Sequence, residues 1–286
     1  MSVKVQKITE PLHLGEGPHW DEKQQALYFV TVLARQQITN PSHLTLLYAD
    51  GRVGFIVPVE GTSDQFLVGV ERNFLVVRWD GAEGSPTSVV KHLGEIDHDA
   101  PLNKINDGKA DPRGRVFGVF VAALQPKAIN SRIVVDRIGI SNGLAWDVGQ
   151  KAMYYTDSLE YNIRKYDYDL ETGEISNVKY IFDFKKNKLD GFPDGSTIDT
   201  DGNLWVAVFD VSCVIKIDPR TGNLLQKVPI PALQVTSVTF GGPNYDILFV
   251  TTASINIRGP QEAPCGATFM VTGLGVKGLP NVNFKL

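Results

Sequence analysis

The chain has 286 residues, 43% of them hydrophobic, so it can bury a large core. Its 28 basic and 32 acidic residues give a net charge of −4, which argues against a nucleic-acid partner, because such proteins need a basic face. No apolar run is long enough for a membrane helix, and residues 1–7 lack the apolar core of a secretory signal. We therefore expect a cytoplasmic protein, and we favour buried free thiols over a disulfide for its two cysteines, Cys213 and Cys265.

Short runs rich in Val, Ile, Phe, Tyr and Trp alternate along the chain with turns of Gly, Asp, Asn and Pro. In chain order, the predicted strands include residues 26–30, 54–58, 65–70, 115–118, 152–155, 203–206, 237–240 and 246–250. Two similar hairpin turns, at 168–175 and 217–224, enter on Asp and carry a Gly that can supply a positive φ. No long window has the 3.6-residue periodicity of an amphipathic helix, so we predict an all-β chain.

A short motif precedes four of these strands, in which a carboxylate or amide residue is followed five positions later by Asp. The four copies begin at Glu16, Asn106, Asn142 and Asp194, and they end at Asp21, Asp111, Asp147 and Asp199. Weaker fifth and sixth copies lie at 237–250 and 54–70. Repeats of about 40 to 50 residues with about four strands each are typical of propeller blades. The sequence therefore predicts a single six-bladed β-propeller domain over residues 1–286.

The repeat also predicts where its polar residues lie. Blades of a propeller are related by rotation, so Glu16, Asn106, Asn142 and Asp194 should converge at one mouth of the central tunnel. Two carboxylates and two amides would repel one another or stay unsatisfied there unless a cation lay between them. An all-oxygen set suits calcium, magnesium or manganese. The alternative, that each residue bonds to its own turn, stays open for any one of them.

The segments that carry a family resemblance are, in chain order, residues 15–20, 106–109, 140–146, 154–158, 193–195, 204–207, 240–242 and 271–278. They resemble the family that contains regucalcin (senescence marker protein), gluconolactonase and the luciferin-regenerating enzyme. The resemblance implies a six-bladed propeller in which Glu16, Asn142 and Asp194 hold one divalent metal ion. It also implies that Asn106 lies beside the metal and binds substrate. Calcium is the expected ion, with manganese, magnesium and zinc as alternatives.

The chain departs from the family pattern at Lys104, where the family usually has Arg two residues before the motif Asn. We assign Lys104 to substrate binding and expect a different substrate preference, because Lys offers a point charge where Arg offers a fork. The segments 31–48 and 117–133 do not resemble the family. The second is where a substrate-side acid would be expected, and none is assigned there.

The implied activity is metal-dependent hydrolysis of a sugar lactone or related small ester, with a small molecule as the partner. In the hypothesised reaction Asp194 is the general base, and Asn106 and Lys104 hold the substrate and stabilise the developing oxyanion. A calcium-binding regulatory protein with little turnover is the main alternative, because it would use the same metal site. A propeller that serves only as an interaction platform is disfavoured, since it has no need of a polar ring.

Two other motifs are rejected. Residues 273–278 satisfy G-x-G-x-x-G but lie too close to the C-terminus for a βαβ unit, so we expect a glycine-rich turn. The five histidines have no zinc-ligand spacing.

Overall fold

The structure is a computed structural model that describes residues 2–31, 43–47, 52–81, 85–96, 103–120, 135, 139–257 and 259–286, with only the backbone described at 43–47 and 119–120. All regular elements in these ranges are strands, in agreement with the all-β prediction. Among these residues there is thus no helix with the length and apolarity needed to span a bilayer.

The described strands are short and joined mostly by tight turns. In chain order they are β1 (Lys4–Lys7), β2 (Gly15–Asp21), β3 (Ala26–Thr31), β4 (His43–Leu47), β5 (Val53–Pro58), β6 (Gln65–Val70), β7 (Asn73–Arg78), β8 (Ser88–Glu95), β9 (Ile105–Ala110), β10 (Val116–Phe120), β11 (Ser141–Asp147), β12 (Ala152–Asp157), β13 (Asn162–Tyr168), β14 (Ile175–Asp183), β15 (Phe192–Ile198), β16 (Leu204–Phe209), β17 (Cys213–Asp218), β18 (Asn223–Pro229), β19 (Gln234–Gly241), β20 (Ile247–Ala253) and β21 (Phe269–Thr272). Strands such as β3 and β12 are buried along their whole length, because sheets pack against both of their faces.

Three four-stranded sheets are antiparallel meanders with the orders β5-β6-β7-β8, β11-β12-β13-β14 and β15-β16-β17-β18. The fourth four-stranded sheet has the order β1-β21-β20-β19, so it combines both ends of the chain. In it, β1 pairs antiparallel with β21, with Lys4 opposite Thr272. The N-terminal strand therefore completes the last sheet and closes the ring, a role that its polar sequence does not reveal.

The prediction of six four-stranded blades is wrong, because the described residues contain four such blades. The sheet β2-β3-β4 has three strands, and β4 lies parallel to β3, which a tight hairpin turn cannot produce. The sheet β9-β10 has two strands. Both smaller sheets adjoin the segments 31–48 and 117–133 that leave the repeat pattern, and most of these two segments lies outside the described residues.

The first strands of the sheets surround the central tunnel. They contact one another in the order β2, β5, β9, β11, β15, β19 and back to β2. Aromatic side chains fill the space between neighbouring sheets: Trp20 stacks on Phe249 at 5.4 Å between ring centroids, and Trp205 meets Phe240 edge-on at 5.8 Å. The β-propeller class of the prediction thus agrees with the structure, although its blade count does not.

Each of these six inner strands has an irregular pairing register near its start. In β11, for example, Asn142 pairs with Thr156 and Leu144 with Tyr155, so Gly143 is an extra residue. Such bulges bend a strand and redirect its side chains, and they are common beside active sites. The bulges form a ring at one end of the tunnel, where the polar residues of the repeat lie.

Candidate metal centre and active site

The four polar residues of the repeat all lie at these bulges. Glu16 and Asn142 immediately precede the irregularities of β2 and β11, Asp194 lies within that of β15, and Asn106 is the extra residue of β9. Glycine makes the convergence possible, since Gly143 adopts a φ of 28° and a Cβ there would lie 2.6 Å from the Asp194 carbonyl oxygen. Strands β11 and β15 therefore approach closely at this mouth.

Two of the predicted residues are in direct contact. The Asn106 Nδ2 donates to Asn142 Oδ1 at 3.0 Å and to the Ser141 carbonyl at 2.9 Å. The Asn142 Nδ2 donates in turn to Ser158 Oγ at 2.9 Å. The Ser158 hydroxyl then donates to the Pro193 carbonyl at 2.6 Å, immediately before Asp194. A continuous chain of hydrogen bonds therefore runs from β9 through β11 to β15.

The two predicted carboxylates lie close enough to repel each other. Burial raises the pKa of Glu16 well above its ordinary value, and the negative charges of Asp194 and Asp107 raise it further. Burial also raises the pKa of Asp194 well above its ordinary value, with Asp107 as the second cause. Asp194 is 8% exposed, and its Oδ1 has no hydrogen-bond partner in the part of the chain that the structure describes. The half-buried Glu16 and the buried Asp194 thus form an acidic site in which Asp194 Oδ1 lacks a donor among the described residues.

Asp107 is a third carboxylate at this site that the sequence analysis did not assign. Its Oδ1 accepts a hydrogen bond from the Gly108 N–H at 2.7 Å, and burial raises its pKa to about 6. Lys109 lies nearby and donates from Nζ to the Ser196 carbonyl at 3.2 Å, and burial lowers its pKa to about 8. The sequence does carry a signal for Asp107, because it directly follows Asn106, which is the polar residue of that repeat.

Lys104 lies beside one of these carboxylates, that of Glu16. It is half-buried, and burial and the nearby Arg52 lower its pKa, while Glu16 and Glu71 raise it. Arg52 is itself paired with Glu71 through Nη2 and Oε2 at 2.8 Å. The structure therefore brings Lys104 near Glu16, as a substrate-binding role at this mouth would require, and adds an Arg–Glu pair to the same rim.

The donor set can be tested against the expected metal. Within the described ranges, no three His, Cys, Asp or Glu side chains form a cluster that could hold a metal ion by themselves. The set at this mouth instead combines the Glu16 and Asp194 carboxylates with the Asn142 carboxamide. The unpartnered Asp194 Oδ1 and the mutual repulsion of the carboxylates are what a cation would relieve. Since all of these donors are oxygens, the residues fit a hard divalent ion.

A β-propeller with an acidic, oxygen-lined tunnel mouth is the class of protein that this fold and site define. Residues 14–254 match the SMP-30/Gluconolactonase/LRE-like region family, and the chain belongs to this family. The resemblance found in the sequence is thus confirmed.

Relatives match along nearly the whole chain. Regucalcin from Danio rerio is 35% identical over an alignment 303 positions long, which covers 99% of each chain. Regucalcin from Sus scrofa is 36% identical over an alignment 302 positions long, which covers 98% of this chain and 97% of the relative. A solved structure of luciferin-regenerating enzyme is 38% identical, covers 100% of both chains and has a TM-score of 0.89. The calcium-binding protein regucalcin from Agrobacterium tumefaciens shares the fold, with a TM-score of 0.79, 19% identity and coverage of 99% and 98%.

Proposed function

We propose that this chain is a divalent-metal-dependent hydrolase that opens a sugar lactone or a related small ester. The observation that carries the proposal is the proximity of the half-buried Glu16 carboxylate and the buried Asp194 carboxylate at one tunnel mouth that also holds the Asn142 carboxamide. Perturbed carboxylates in a concave site are typical of catalytic centres. Membership of a family whose description includes gluconolactonases supports the lactone as substrate class.

The residues that would hold the ion are Glu16, Asn142 and Asp194. When bound, a divalent ion supplies Lewis-acid activation of a carbonyl group and of water. Calcium is the expected ion, because calcium binds carboxylate and amide oxygens in flexible geometries, and manganese, magnesium and zinc are the alternatives to test. Asp107 adds negative charge to the site and would strengthen its preference for a cation.

The remaining roles fall to this chain's own side chains. Asp194 would accept a proton from the attacking water, and its Oδ1 has no competing donor among the described residues. Lys104 is an N–H donor near this mouth and would hold the negative charge that develops on the carbonyl oxygen. Both Nδ2 protons of Asn106 are donated to Ser141 and Asn142, so Asn106 would bind substrate hydroxyls through its Oδ1. The carboxylates of Glu16 and Glu71 favour the charged form of Lys104, whereas Arg52 opposes it.

The test is hydrolysis of gluconolactone by the purified full-length protein after chelation, with calcium, manganese, magnesium and zinc added back separately. We expect no turnover above the spontaneous rate in chelator and recovery with at least one ion. Equal activity with and without chelator would contradict the proposal. Calcium binding measured by calorimetry without hydrolysis of lactones or aryl esters would instead favour the calcium-binding regulatory protein.

A further inference from the structure

The hydroxyl of Ser158 lies between two of the proposed metal ligands. Ser158 follows β12 and is 4% exposed. Its Oγ accepts a hydrogen bond from Asn142 Nδ2 at 2.9 Å and donates one to the Pro193 carbonyl at 2.6 Å. One hydroxyl thus joins the side chain of Asn142 to the backbone that enters Asp194.

The directions of these two bonds follow from the chemistry of the groups. A carbonyl oxygen can only accept, so the single proton of the Ser158 hydroxyl is committed to Pro193. The Oγ can then only accept from Asn142, which must present its NH₂ group and not its oxygen. The Asn142 Oδ1 is therefore directed away from Ser158, to the side where Asn106 donates to it at 3.0 Å. Ser158 thus selects one of the two orientations of the carboxamide, and in this orientation the oxygen is available to a cation.

The serine is itself held firmly. The Ser158 N–H donates to the Ile140 carbonyl at 3.0 Å, which ties it to the segment before β11. The preceding residue, Asp157, is fully buried and forms an ion pair with Arg164 at 3.4 Å. Its carboxylate also accepts from the backbone N–H of Gly139 at 3.2 Å. The hydroxyl is therefore a preorganised group and not a freely rotating one.

We propose that Ser158 is a positioning residue, which orients the Asn142 carboxamide oxygen towards the metal and couples it to the backbone at Asp194. This inference rests on the proposed metal site. Groups that orient metal ligands in this way typically change metal affinity about 10- to 100-fold when they are removed. Ser158 reaches the metal only through Asn142 and Pro193, so its removal should act first on metal affinity.

Ser141 provides a matched control. It is also a buried serine, and its hydroxyl bonds to the Tyr155 hydroxyl and not to Asn142. Ser141→Ala removes a buried hydroxyl next to Asn142 without changing the amide orientation. Ser158→Cys keeps the space filled while it weakens both hydrogen bonds, so it remains informative where Ser158→Ala folds poorly.

The experiment is calorimetric titration of the chelated full-length variants with calcium and with manganese, together with their melting temperatures in chelator. We expect Asp194→Ala to abolish binding, Ser158→Ala to weaken it about 10- to 100-fold, Ser158→Cys to weaken it less, and Ser141→Ala to match the wild type. Loss of binding in Asp194→Ala with wild-type affinity in both Ser158 variants would overturn the inference and leave the metal site standing. Wild-type binding by Asp194→Ala would overturn both. Equal losses in Ser158→Ala and Ser141→Ala would reduce the role of Ser158 to stability and would also overturn it.

Discussion

The two ends of the inner strands use the same residue types in opposite ways. At the far end, the aspartates that close the repeat motif bond to the turns that follow them. Asp199 is 1% exposed, and its Oδ1 accepts from the N–H groups of Asp201 at 3.0 Å and Asn203 at 2.9 Å. Its Oδ2 accepts from Trp205 Nε1 and from Lys216 Nζ, both at 2.9 Å.

At the mouth end of the same strand, Asp194 is almost as buried but has an oxygen without a partner among the described residues. Burial alone therefore does not separate a structural carboxylate from a functional one. What separates them is whether donors compensate the charge. Asp199 is satisfied by the fold, whereas Asp194 keeps an unpartnered oxygen among the described residues and Glu16 is repelled by Asp194 and Asp107.

The largest expected effect is on catalysis at the mouth. Asp194→Ala removes the proposed general base and a metal ligand, so kcat/KM for gluconolactone should fall by about 1,000-fold or more. Steady-state kinetics in saturating metal would measure this, with circular dichroism as the check that the variant is folded. A folded Asp194→Ala protein with full activity would contradict the functional difference between the mouth-end and the far-end aspartates.

The same substitution at the far end should act on stability instead. Asp199→Ala leaves the Lys216 ammonium and the Trp205 N–H buried without their carboxylate, which should cost about 3 kcal/mol or more of unfolding free energy. Urea denaturation would measure the loss, and metal affinity of the folded protein should stay unchanged. A stable Asp199→Ala variant that lost metal binding would reverse the assignment.

A pH effect separates the two ends further. The pKa of Glu16 is raised in the fold, so the native protein keeps a proton that the unfolded chain releases at about pH 4. Stability is therefore lost as the pH rises from about 4 through the pKa of Glu16 in the folded protein. Metal-free Glu16→Gln should therefore melt higher than the metal-free wild type at about pH 8, by about 2–4 °C for each kcal/mol of relieved repulsion.

This gain should shrink towards about pH 4.5, where the wild-type carboxyl is protonated in the fold and about half protonated in the unfolded chain. His19 titrates in the opposite direction, since burial lowers its pKa to about 4, but it is present in both proteins and cancels from the difference. Calorimetric melting at the two pH values would measure the gain. A melting temperature of Glu16→Gln that stayed below the wild type at high pH would show that the carboxylate is not under repulsion.

The smallest effect is expected for a far-end aspartate with fewer partners. Asp147 is half-buried, and its Oδ1 accepts from the Gln150 N–H at 2.9 Å. Asp147→Ala should cost about 1 kcal/mol, well below the loss in Asp199→Ala. Equal losses of unfolding free energy in the two variants, measured by urea denaturation, would show that the additional partners of Asp199 do not contribute to stability.

Much of the propeller could be predicted because its symmetry repeats one pattern. Equivalent residues recur at the same point of the first strand, so the positions of Glu16, Asn106, Asn142 and Asp194 at one mouth follow from the register of the repeat. The number of four-stranded blades could not be predicted, because the segments 31–48 and 117–133 leave the repeat pattern. The parallel pairing of β4 and the closure by β1 also have no local signal, because both depend on contacts between distant parts of the chain.

The site was predicted less completely than the fold. Asp107 was overlooked because its charge acts on Glu16 and Asp194 through space, across strands that spacing does not relate. Ser158 was not singled out, since its role depends on one bond to Asn142 in the neighbouring strand and one to Pro193 in the next sheet. The proposed ligand residues follow the symmetry of the fold, whereas the group proposed to orient them does not.

The most direct measurement is an anomalous difference map from crystals of the full-length protein soaked in manganese. One strong peak at the tunnel mouth, within bonding distance of the Glu16 and Asp194 carboxylates and of Asn142 Oδ1, is the expected result. A map with no peak between those side chains, or with its strongest peak elsewhere, would contradict the metal centre.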